Sequence, residues 1–429
     1  MRSAAIVTLL VLLALAGAWV LTRKDGFNVL TPGTPGSLGG SPGVPEAASP
    51  ADADAAAPAP APTRELRPRV AEGAPLRIEL IEEPATRYGG AELSETDKVY
   101  AALVGELGRP DVVYDPNLGH AARELAYEQS VIGTVVPSDV LTFLLRSGGA
   151  VDKTVLQAFT QTSEESGDPL APVKRRITEL VAEGTGVHHV GVGEAILPGA
   201  RLGRTIAVLV STRGLLVSPA PRTAQAGTKW VLSGTLPEGY HDAHGLIMRP
   251  SGAMETLDVT TDRTDGRRFT LVVPTGQRGL LSVSLIATGP HGPGPLTQLP
   301  VYVDIPIPRV LETAMPPAEV LAGNTEAEAL ALRLLNEDRA RFGLAALVRD
   351  GSLDAIARAH SQDMRDNGWF GHWSDETGSP GDRLDAAGYR AAGYAENVAA
   401  ARSIRGAQEG LLDSLGHRRN ILTTELDRV

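Results

Sequence analysis

The sequence predicts a multidomain protein with an N-terminal transmembrane helix, an α+β domain, a β-sandwich and a helical C-terminal domain. Three observations support this fold class. The chain has 429 residues, which is room for about two or three domains. An uncharged apolar run stands at the N-terminus and is followed by a Pro- and Gly-rich stretch. Beyond that stretch, strand-like alternation and helix-like periodicity occupy separate parts of the chain.

The composition excludes several classes of protein. With 40 basic and 51 acidic residues the formal net charge is −11, which argues against a nucleic-acid binder because such proteins concentrate basic charge on one face. The chain has no cysteine, so disulfide frameworks, thiolate nucleophiles and Cys-ligated zinc are excluded. A hydrophobic share of 42% is enough for packed cores.

The N-terminal run, residues 3–22, carries no charge and ends at Arg23-Lys24. Twenty helical residues rise about 30 Å, the thickness of the hydrocarbon core of a bilayer. We therefore predict a signal anchor over residues 1–24. A cleaved signal peptide is the alternative, because Ala14-Leu15-Ala16 resembles a cleavage site. In either case we expect export: the protein is anchored through this helix and faces the periplasm or the extracellular side, or it is secreted.

Residues 25–74 form a linker rich in Pro, Gly and Ala. Its Ala-Pro alternation, which ends at Pro62, is typical of extended spacers that lack a core. The linker would hold the following domains away from the membrane.

Residues 75–212 mix helical stretches with two apolar runs, and we predict an α+β domain. The runs at residues 187–193 and 205–210 are rich in β-branched residues and predict a closing hairpin.

Residues 213–308 contain short alternating runs divided by Gly, Pro and Asp-Gly turns. Residues 229–234, 268–273, 281–286 and 301–305 are examples. Strands at this spacing predict a β-sandwich of immunoglobulin type. This region contains no pattern of catalytic residues and is expected to be a spacer or a binding module.

Residues 319–429 read as helices separated by polar segments. Thr325 and Glu328 form a capping-box pattern at the start of one helix, and Ser379-Pro380 predicts the start of another. The segments between the helices are polar and include His372, Glu396-Asn397 and His417. Each His taken alone is more often a hydrogen-bonded structural residue than a ligand.

The order of these segments resembles the CAP superfamily, the SCP-like domain, in its cysteine-free bacterial form. The resemblance covers residues 336 to 429 and rests on several motifs taken together. They are Asn336-Glu337-Asp338-Arg339, Gly343-Leu344, the His after Phe370, the Glu396-Asn397 pair and Gly416-His417-Arg418-Arg419-Asn420-Ile421-Leu422.

The resemblance implies an α-β-α sandwich with a cleft lined by two His and up to two acidic residues. Carried over by motif, the cleft residues are His372, Glu396 and His417, with Asn397 beside them. The second acidic position of the family falls at Ser414, so the resemblance does not supply a complete four-residue set.

Two further expectations follow from the same motifs. Residues 95–212 resemble a degenerate CAP-like copy, because residues 189–193 and 206–210 are similar to the strands that close a CAP domain. The C-terminal copy itself lacks these last strands. We therefore expect a truncated product, or a sheet edge that stays open or is completed by another chain.

Two imidazoles and a carboxylate can act in two ways. His372, His417 and Glu396 could hold Zn²⁺ with an open position, which would make a metal-dependent hydrolase. Alternatively, the carboxylate fixes a His tautomer within a binding cleft. The spacing lacks the local His-x-x-x-His pairing of zincins, so we favour binding over catalysis.

The ligand class follows from the aromatic residues near these motifs. Trp369, Phe370, Trp373, Tyr389 and Tyr394 lie close together in the sequence. Flat amphipathic rings beside polar groups suit an envelope glycan or a lipid, although Trp369 and Phe370 could simply cover the local core. A third hypothesis is a structural stalk in which the β-sandwich makes the contacts.

Overall fold

The computed structural model describes residues 10–13, 70–133, 135–153, 155–162, 170–181, 186–196, 203–317, 319–401 and 403–429. These residues form two interlocked regions followed by a C-terminal region. The three regions are described in chain order, because the candidate site lies where they meet.

The predicted transmembrane helix is wrong. Leu10–Leu13 form a strand, β1, that pairs in parallel with Asn397–Ala400 of the C-terminal region. Among the residues that the structure describes, no helix is long and apolar enough to cross a membrane. Periodicity cannot separate a buried strand from a helix in a continuous apolar run. The remainder of residues 1–24 and most of the predicted linker lie outside the described residues.

The first region is an α+β unit with a four-stranded sheet. Its elements are β2 (Pro75–Glu79), β3 (Arg87–Tyr88), α1 (Glu95–Gly105), β4 (Val112–Tyr114), α2 (Pro116–Ile132), α3 (Ser138–Ser147), β5 (Leu156–Thr162), α4 (Leu170–Val181), β6 (His188–Ile196) and β7 (Arg204–Thr212). The strand order is β4-β6-β7-β5. β4 and β6 are parallel, and the other pairs are antiparallel. The predicted closing hairpin is the β6–β7 pair.

Helix α2 lies directly on strand β6. A Cβ atom at Gly191 would stand 2.2 Å from the carbonyl carbon of Leu118, and one at Gly193 would stand 2.1 Å from that of Ala122. Real Cβ atoms do not approach other atoms so closely, so glycine is needed wherever the strand backbone touches the helix backbone. The Gly-x-Gly pattern of this strand therefore has a packing cause.

The second region is built from strands alone. They are β8 (Leu216–Val217), β9 (Ala220–Pro221), β10 (Thr223–Ala224), β11 (Thr228–Thr235), β12 (His241–Met248), β13 (Met254–Thr261), β14 (Arg268–Thr275), β15 (Gly279–Gly289) and β16 (Gly292–Val303). Eight of them follow the order β10-β16-β15-β12-β13-β14-β11-β8. Buried Trp230 and Leu271 from one end of this order share a core with Val283 and Val301 from the other. The sheet therefore folds over a single core.

The first two regions are interlocked. Strand β17 (Val310–Ala314) follows the second region and pairs antiparallel with β2 of the first. Tyr88 belongs to the first region but is buried in the core of the second. The Arg222 guanidinium lies over the rings of Tyr88 and Tyr302, at 5.4 Å and 5.7 Å from their centroids. These contacts join the two regions along both the backbone and the core.

The C-terminal region is mainly helical. It contains α5 (Asn324–Arg341), α6 (Gly351–Asn367), α7 (Pro380–Ala386), β18 (Asn397–Ala400), α8 (Ile404–Asp413) and α9 (Leu415–Ile421). Arg339 of α5 ties this region together, because its guanidinium donates to the carbonyl oxygens of Ala345, Ile421 and Thr423. An isolated parallel bridge joins Val348 to Arg428.

Candidate functional site

His372 stands in the segment between α6 and α7. Helix α6 ends at Gly368, which adopts a left-handed conformation with φ of 69°. Helix α7 begins where Ser379 caps it in a reciprocal pair with Asp382. The imidazole Nδ1 of His372 lies 2.8 Å from Oε1 of Glu396. An ionised carboxylate can only accept, so Nδ1 carries the proton and Nε2 is left as the free acceptor.

Glu396 precedes strand β18, and its side chain is 3% exposed. Its second oxygen, Oε2, accepts from Arg383 of α7 at 2.7 Å. Arg383 also donates to the carbonyl oxygens of His372 and Gly378, at 3.1 Å and 2.7 Å. A buried carboxylate requires such a partner because desolvation penalises an isolated charge. Arg383 therefore pairs with the buried carboxylate of Glu396 and restrains the His372 segment.

His417 lies in α9 and faces His372, with 6.5 Å between the ring centroids. Burial, together with the charge of Lys153 and the nearby His372 ring, lowers the pKa of His417 to about 3. The imidazole is therefore neutral near pH 7. Its Nδ1 atom is buried and has no hydrogen-bond partner among the described residues. The described part of the structure therefore leaves one enclosed nitrogen of a neutral ring unsatisfied.

The other two predicted residues are close to His417. The side-chain amide of Asn397 donates to the backbone carbonyl of His417 at 3.2 Å. Asn420 donates to Asn397 at 2.9 Å and to the carbonyl of Glu396 at 3.2 Å. Ser414 is buried immediately before α9, and its hydroxyl oxygen has no partner in the described part of the chain. Asn397 thus has a structural role in joining Glu396 to His417.

A third histidine was missed by the sequence reasoning. His360 lies on the buried face of α6, with Nε2 at 3.1 Å from the carbonyl of Gly371 and 3.8 Å from Oε1 of Glu396. Burial lowers its pKa. Its position at helical spacing puts His360 on the buried face of α6, and nothing in the sequence predicts a contact with Glu396. Arg383 was missed for the same reason, because only the tertiary fold brings α7 to Glu396.

A cleft of about 1900 Å³ opens beside these residues, with walls from all three regions. His372 and His417 line it on the C-terminal side, and Lys153 lines it on the side of the first region. Lys153 is exposed within the cleft, and partial desolvation by the surrounding protein lowers the pKa of its ammonium to about 8, against the opposite effect of the Asp413 carboxylate. Among the described residues, none forms an ion pair with Lys153. No signal in the sequence links Lys153 to the C-terminal motifs.

The set predicted for zinc was His372, Glu396 and His417. Both oxygens of Glu396 are already engaged, one by His372 Nδ1 and the other by Arg383. The described residues contain no group of three His, Asp or Glu side chains arranged to hold a metal ion. The arrangement therefore fits a carboxylate that orients an imidazole better than a three-ligand zinc site. Zinc binding stays a prediction.

The aromatic side chains divide into two groups. Trp369 stacks on His291 of the second region, with 5.1 Å between the ring centroids. Phe370, Trp373 and Tyr394 are each between 39% and 50% exposed. Of these, Phe370 lines the cleft. Trp369 therefore serves the contact between regions, and Phe370 is the ring available to a ligand in the cleft.

Comparison with known proteins gives a family match at the C-terminus. Residues 332–429 match the model of the family described as "CAP: Cysteine-rich secretory protein family". The chain is similar to "Uncharacterized protein YkwD" of Bacillus subtilis (strain 168), at 37% identity over 101 residues, which are 23% of this chain and 38% of the relative. It is also similar to "Uncharacterized membrane protein YlbC" of the same organism, at 37% identity over 103 residues, 24% of this chain and 30% of the relative.

A solved structure of an extracellular protein containing an SCP domain, from Bacillus anthracis str. Ames, is similar at 23% identity. The similarity covers 34% of this chain and 59% of that chain, with a TM-score of 0.24. The chain thus spans well under half the length of the two curated relatives that it matches.

Proposed function

Because residues 332–429 form a CAP domain, we propose that the protein is exported and binds an envelope glycan in the cleft beside His372 and His417. Export is supported by the name of the matched family, which describes secretory proteins. Binding, rather than catalysis, is supported by the engagement of Glu396 with His372 and Arg383. A carboxylate held in this way orients an imidazole and is not itself free to act as a base.

The observation that carries the proposal is the lining of the cleft. Lys153 places an ammonium group in the same cleft as two imidazoles. Among the described residues it forms no ion pair, although the carboxylate of Asp413 is near enough to favour its charged form. An ammonium that lines a cleft favours a ligand with a negative group, because charge-assisted hydrogen bonds are about twice as strong as neutral ones. Phe370 adds an apolar ring on which a sugar face can pack. The ligand that fits best is a glycan bearing a carboxylate.

Calorimetric titration of the full chain tests this proposal. The probe is the disaccharide of N-acetylglucosamine and N-acetylmuramic acid, which carries a carboxylate, and the matched neutral ligand is chitobiose. We expect binding of the first ligand and at least tenfold weaker binding of the second, equivalent to about 1.4 kcal/mol. Affinity should fall between pH 7 and pH 9, because Lys153 loses its proton near pH 8.

Lys153→Met should reduce the affinity for the charged disaccharide to that for chitobiose. The matched control is Lys174→Met, which removes an exposed lysine paired with Glu106 in the first region. Equal affinity for the two sugars, or no effect of Lys153→Met, would contradict the proposal. Binding to anionic lipid vesicles in place of either sugar would also contradict it and would assign the cleft to a lipid.

A further inference from the structure

The hairpin formed by β15 and β16 touches both histidine-bearing segments of the CAP domain. At its tip, the carbonyl oxygen of His291 accepts from the backbone amides of His372 and Trp373, at 2.8 Å and 3.1 Å. The His291 ring stacks on Trp369, with an interplanar angle of 28°. The tip therefore holds the His372 segment through its backbone and through an aromatic contact.

The two backbones meet too closely for side chains. A Cβ atom at Gly371 would lie 2.5 Å from both the Cβ and the carbonyl oxygen of His291. On the other side, a Cβ at Gly292 would lie 3.1 Å from the Cβ of His372. Gly292 has φ of 95°, a conformation that L side chains rarely adopt. Glycine on each side of the contact allows the hairpin tip to lie against the residue that carries the imidazole.

Further along β16, Gln298 binds the segment that carries His417. Its amide nitrogen donates to the carbonyl of Asp413 at 2.8 Å, and its amide oxygen accepts from the amide of Leu415 at 2.9 Å. Leu415 is also buried against Leu246 and Ile286 of the second region. The junction of α8 and α9 is thus fixed from outside the CAP domain, two residues before His417.

From these contacts we infer that the β15–β16 hairpin is part of the CAP cleft, where His291 and Gln298 are positioning residues that set the separation of His372 and His417. Neither residue needs to touch the ligand. One carbonyl restrains the first histidine segment and one side-chain amide restrains the second, and a single two-stranded unit carries both. This role rests on the proposed binding function of the cleft, but it is a property of the unliganded protein.

The test measures how fast each imidazole reacts with diethyl pyrocarbonate, which acylates accessible neutral imidazole. Tryptic peptides separate His372, in residues 366–383, from His417, in residues 406–418, and mass spectrometry gives each rate. In the full chain, Gln298→Leu removes both hydrogen bonds to the α8–α9 junction. We expect the His417 rate to rise at least fivefold. Gly292→Val should do the same for His372, because its side chain collides with the His372 segment.

Gln277→Leu is the matched control, because Gln277 is an exposed glutamine of the second region, in the turn between β14 and β15. It should leave both rates unchanged. Gln298→Glu retains the acceptor for Leu415 but loses the donor to Asp413, and its His417 rate should fall between those of the wild type and Gln298→Leu. The tryptic peptide of residues 177–201, which carries buried His188 and half-buried His189 of the first region, serves as an internal reference, because its rate rises only when the protein unfolds.

Unchanged rates at both imidazoles in Gln298→Leu and Gly292→Val would overturn the inference. So would a rise shared equally by the reference peptide, because that would indicate unfolding in place of local release. No sugar is present in this experiment. Its failure is therefore distinct from a failure of glycan binding, and each result can be obtained without the other.

Discussion

A trio of arginine, carboxylate and histidine at the first region can be compared with one in the CAP domain, and in both the carboxylate is buried. In the CAP trio, Arg383 and His372 bind opposite oxygens of Glu396. In the trio of the first region, Arg213 binds Asp115 and also donates to Nδ1 of His189 at 2.8 Å. The carboxylate of Asp115 is 3.7 Å from the same nitrogen. The two trios contain the same groups in a different order.

The group that lies next to Nδ1 decides which ring nitrogen of each histidine can accept a hydrogen bond. Arginine can only donate, so Nδ1 of His189 must accept and its proton sits on Nε2. At His372 the carboxylate lies next to Nδ1, so the proton sits there and Nε2 is the acceptor. Burial, together with the Arg213 charge, lowers the pKa of His189. The position of the arginine therefore separates a histidine held within a structural network from one that presents a free nitrogen to a cleft.

The largest expected effect is the loss of either arginine. Arg213→Met leaves Asp115 and Asp152 without their shared partner, and Arg383→Met leaves Glu396 without its cation. Removing one partner of a buried pair costs about 3–5 kcal/mol. We expect Arg213→Met to lower the free energy of unfolding by more than Arg383→Met does, because it leaves two carboxylates without a partner. Differential scanning calorimetry of the full chain measures both losses.

The double variant with Arg383→Met and Glu396→Gln is the control for this comparison. It removes the stranded charge, so it should recover part of the stability lost in Arg383→Met alone. A loss below about 1 kcal/mol in both single variants would mean that water reaches these pairs, and the comparison of two trios with buried carboxylates would fail.

A smaller loss of stability is expected when the pH is lowered. His417 has a pKa of about 3 when folded and about 6.5 when unfolded. Between these values the unfolded chain binds more protons, so stability falls as pH decreases from about 6.5 towards 3. His417→Gln removes this pH-dependent contribution to stability. Between pH 7 and pH 4.5, we expect the Tm of the wild type to fall about 3 °C more than that of the variant.

Circular dichroism melts at the two pH values check this difference. His241→Gln is the matched control, since the His241 side chain is 61% exposed and should behave as the wild type does. Equal acid sensitivity of the wild type and His417→Gln would contradict a neutral, buried His417.

The smallest effect concerns a proton position. Nitrogen-15 spectra of the imidazoles should show His372 as the Nδ1–H tautomer and His189 as the Nε2–H tautomer. Glu396→Gln should reduce the Nδ1–H share at His372, because an amide can donate as well as accept. His189 should not change. An Nε2–H tautomer at His372 in the wild type would contradict the proposed orientation by Glu396.

Local sequence patterns predicted some elements and missed others for identifiable reasons. Ser379-Pro380 predicted the start of α7, and the structure places a reciprocal cap there. The capping box expected at Thr325 is wrong. Helix α5 is preceded by Gly323 and has no side-chain cap, and Glu326 instead accepts from the amide of Ala322 at 2.8 Å. Alternative local hydrogen bonds of this kind are close in energy, so a pattern alone cannot choose between them.

The candidate site was predictable where the motifs themselves carry the side chains. His372, Glu396 and His417 come from separate motifs, and the structure brings their side chains together. Arg383, Lys153 and His291 carry no motif, because their roles arise from how helices and whole regions pack. The prediction from the apolar N-terminal run failed for a different reason, since a continuous apolar run is compatible with a strand as well as with a helix.

The pairing of β2 with β17 has a mechanical consequence. Pro75 lies opposite Ala314, and Glu79 lies opposite Val310, so the chain enters and leaves this ladder at the same end. Tension between residue 75 and residue 314 would therefore load the β2–β17 ladder at one end. Because an antiparallel ladder loaded at one end breaks its hydrogen bonds in sequence, the residue pairs would open one after another.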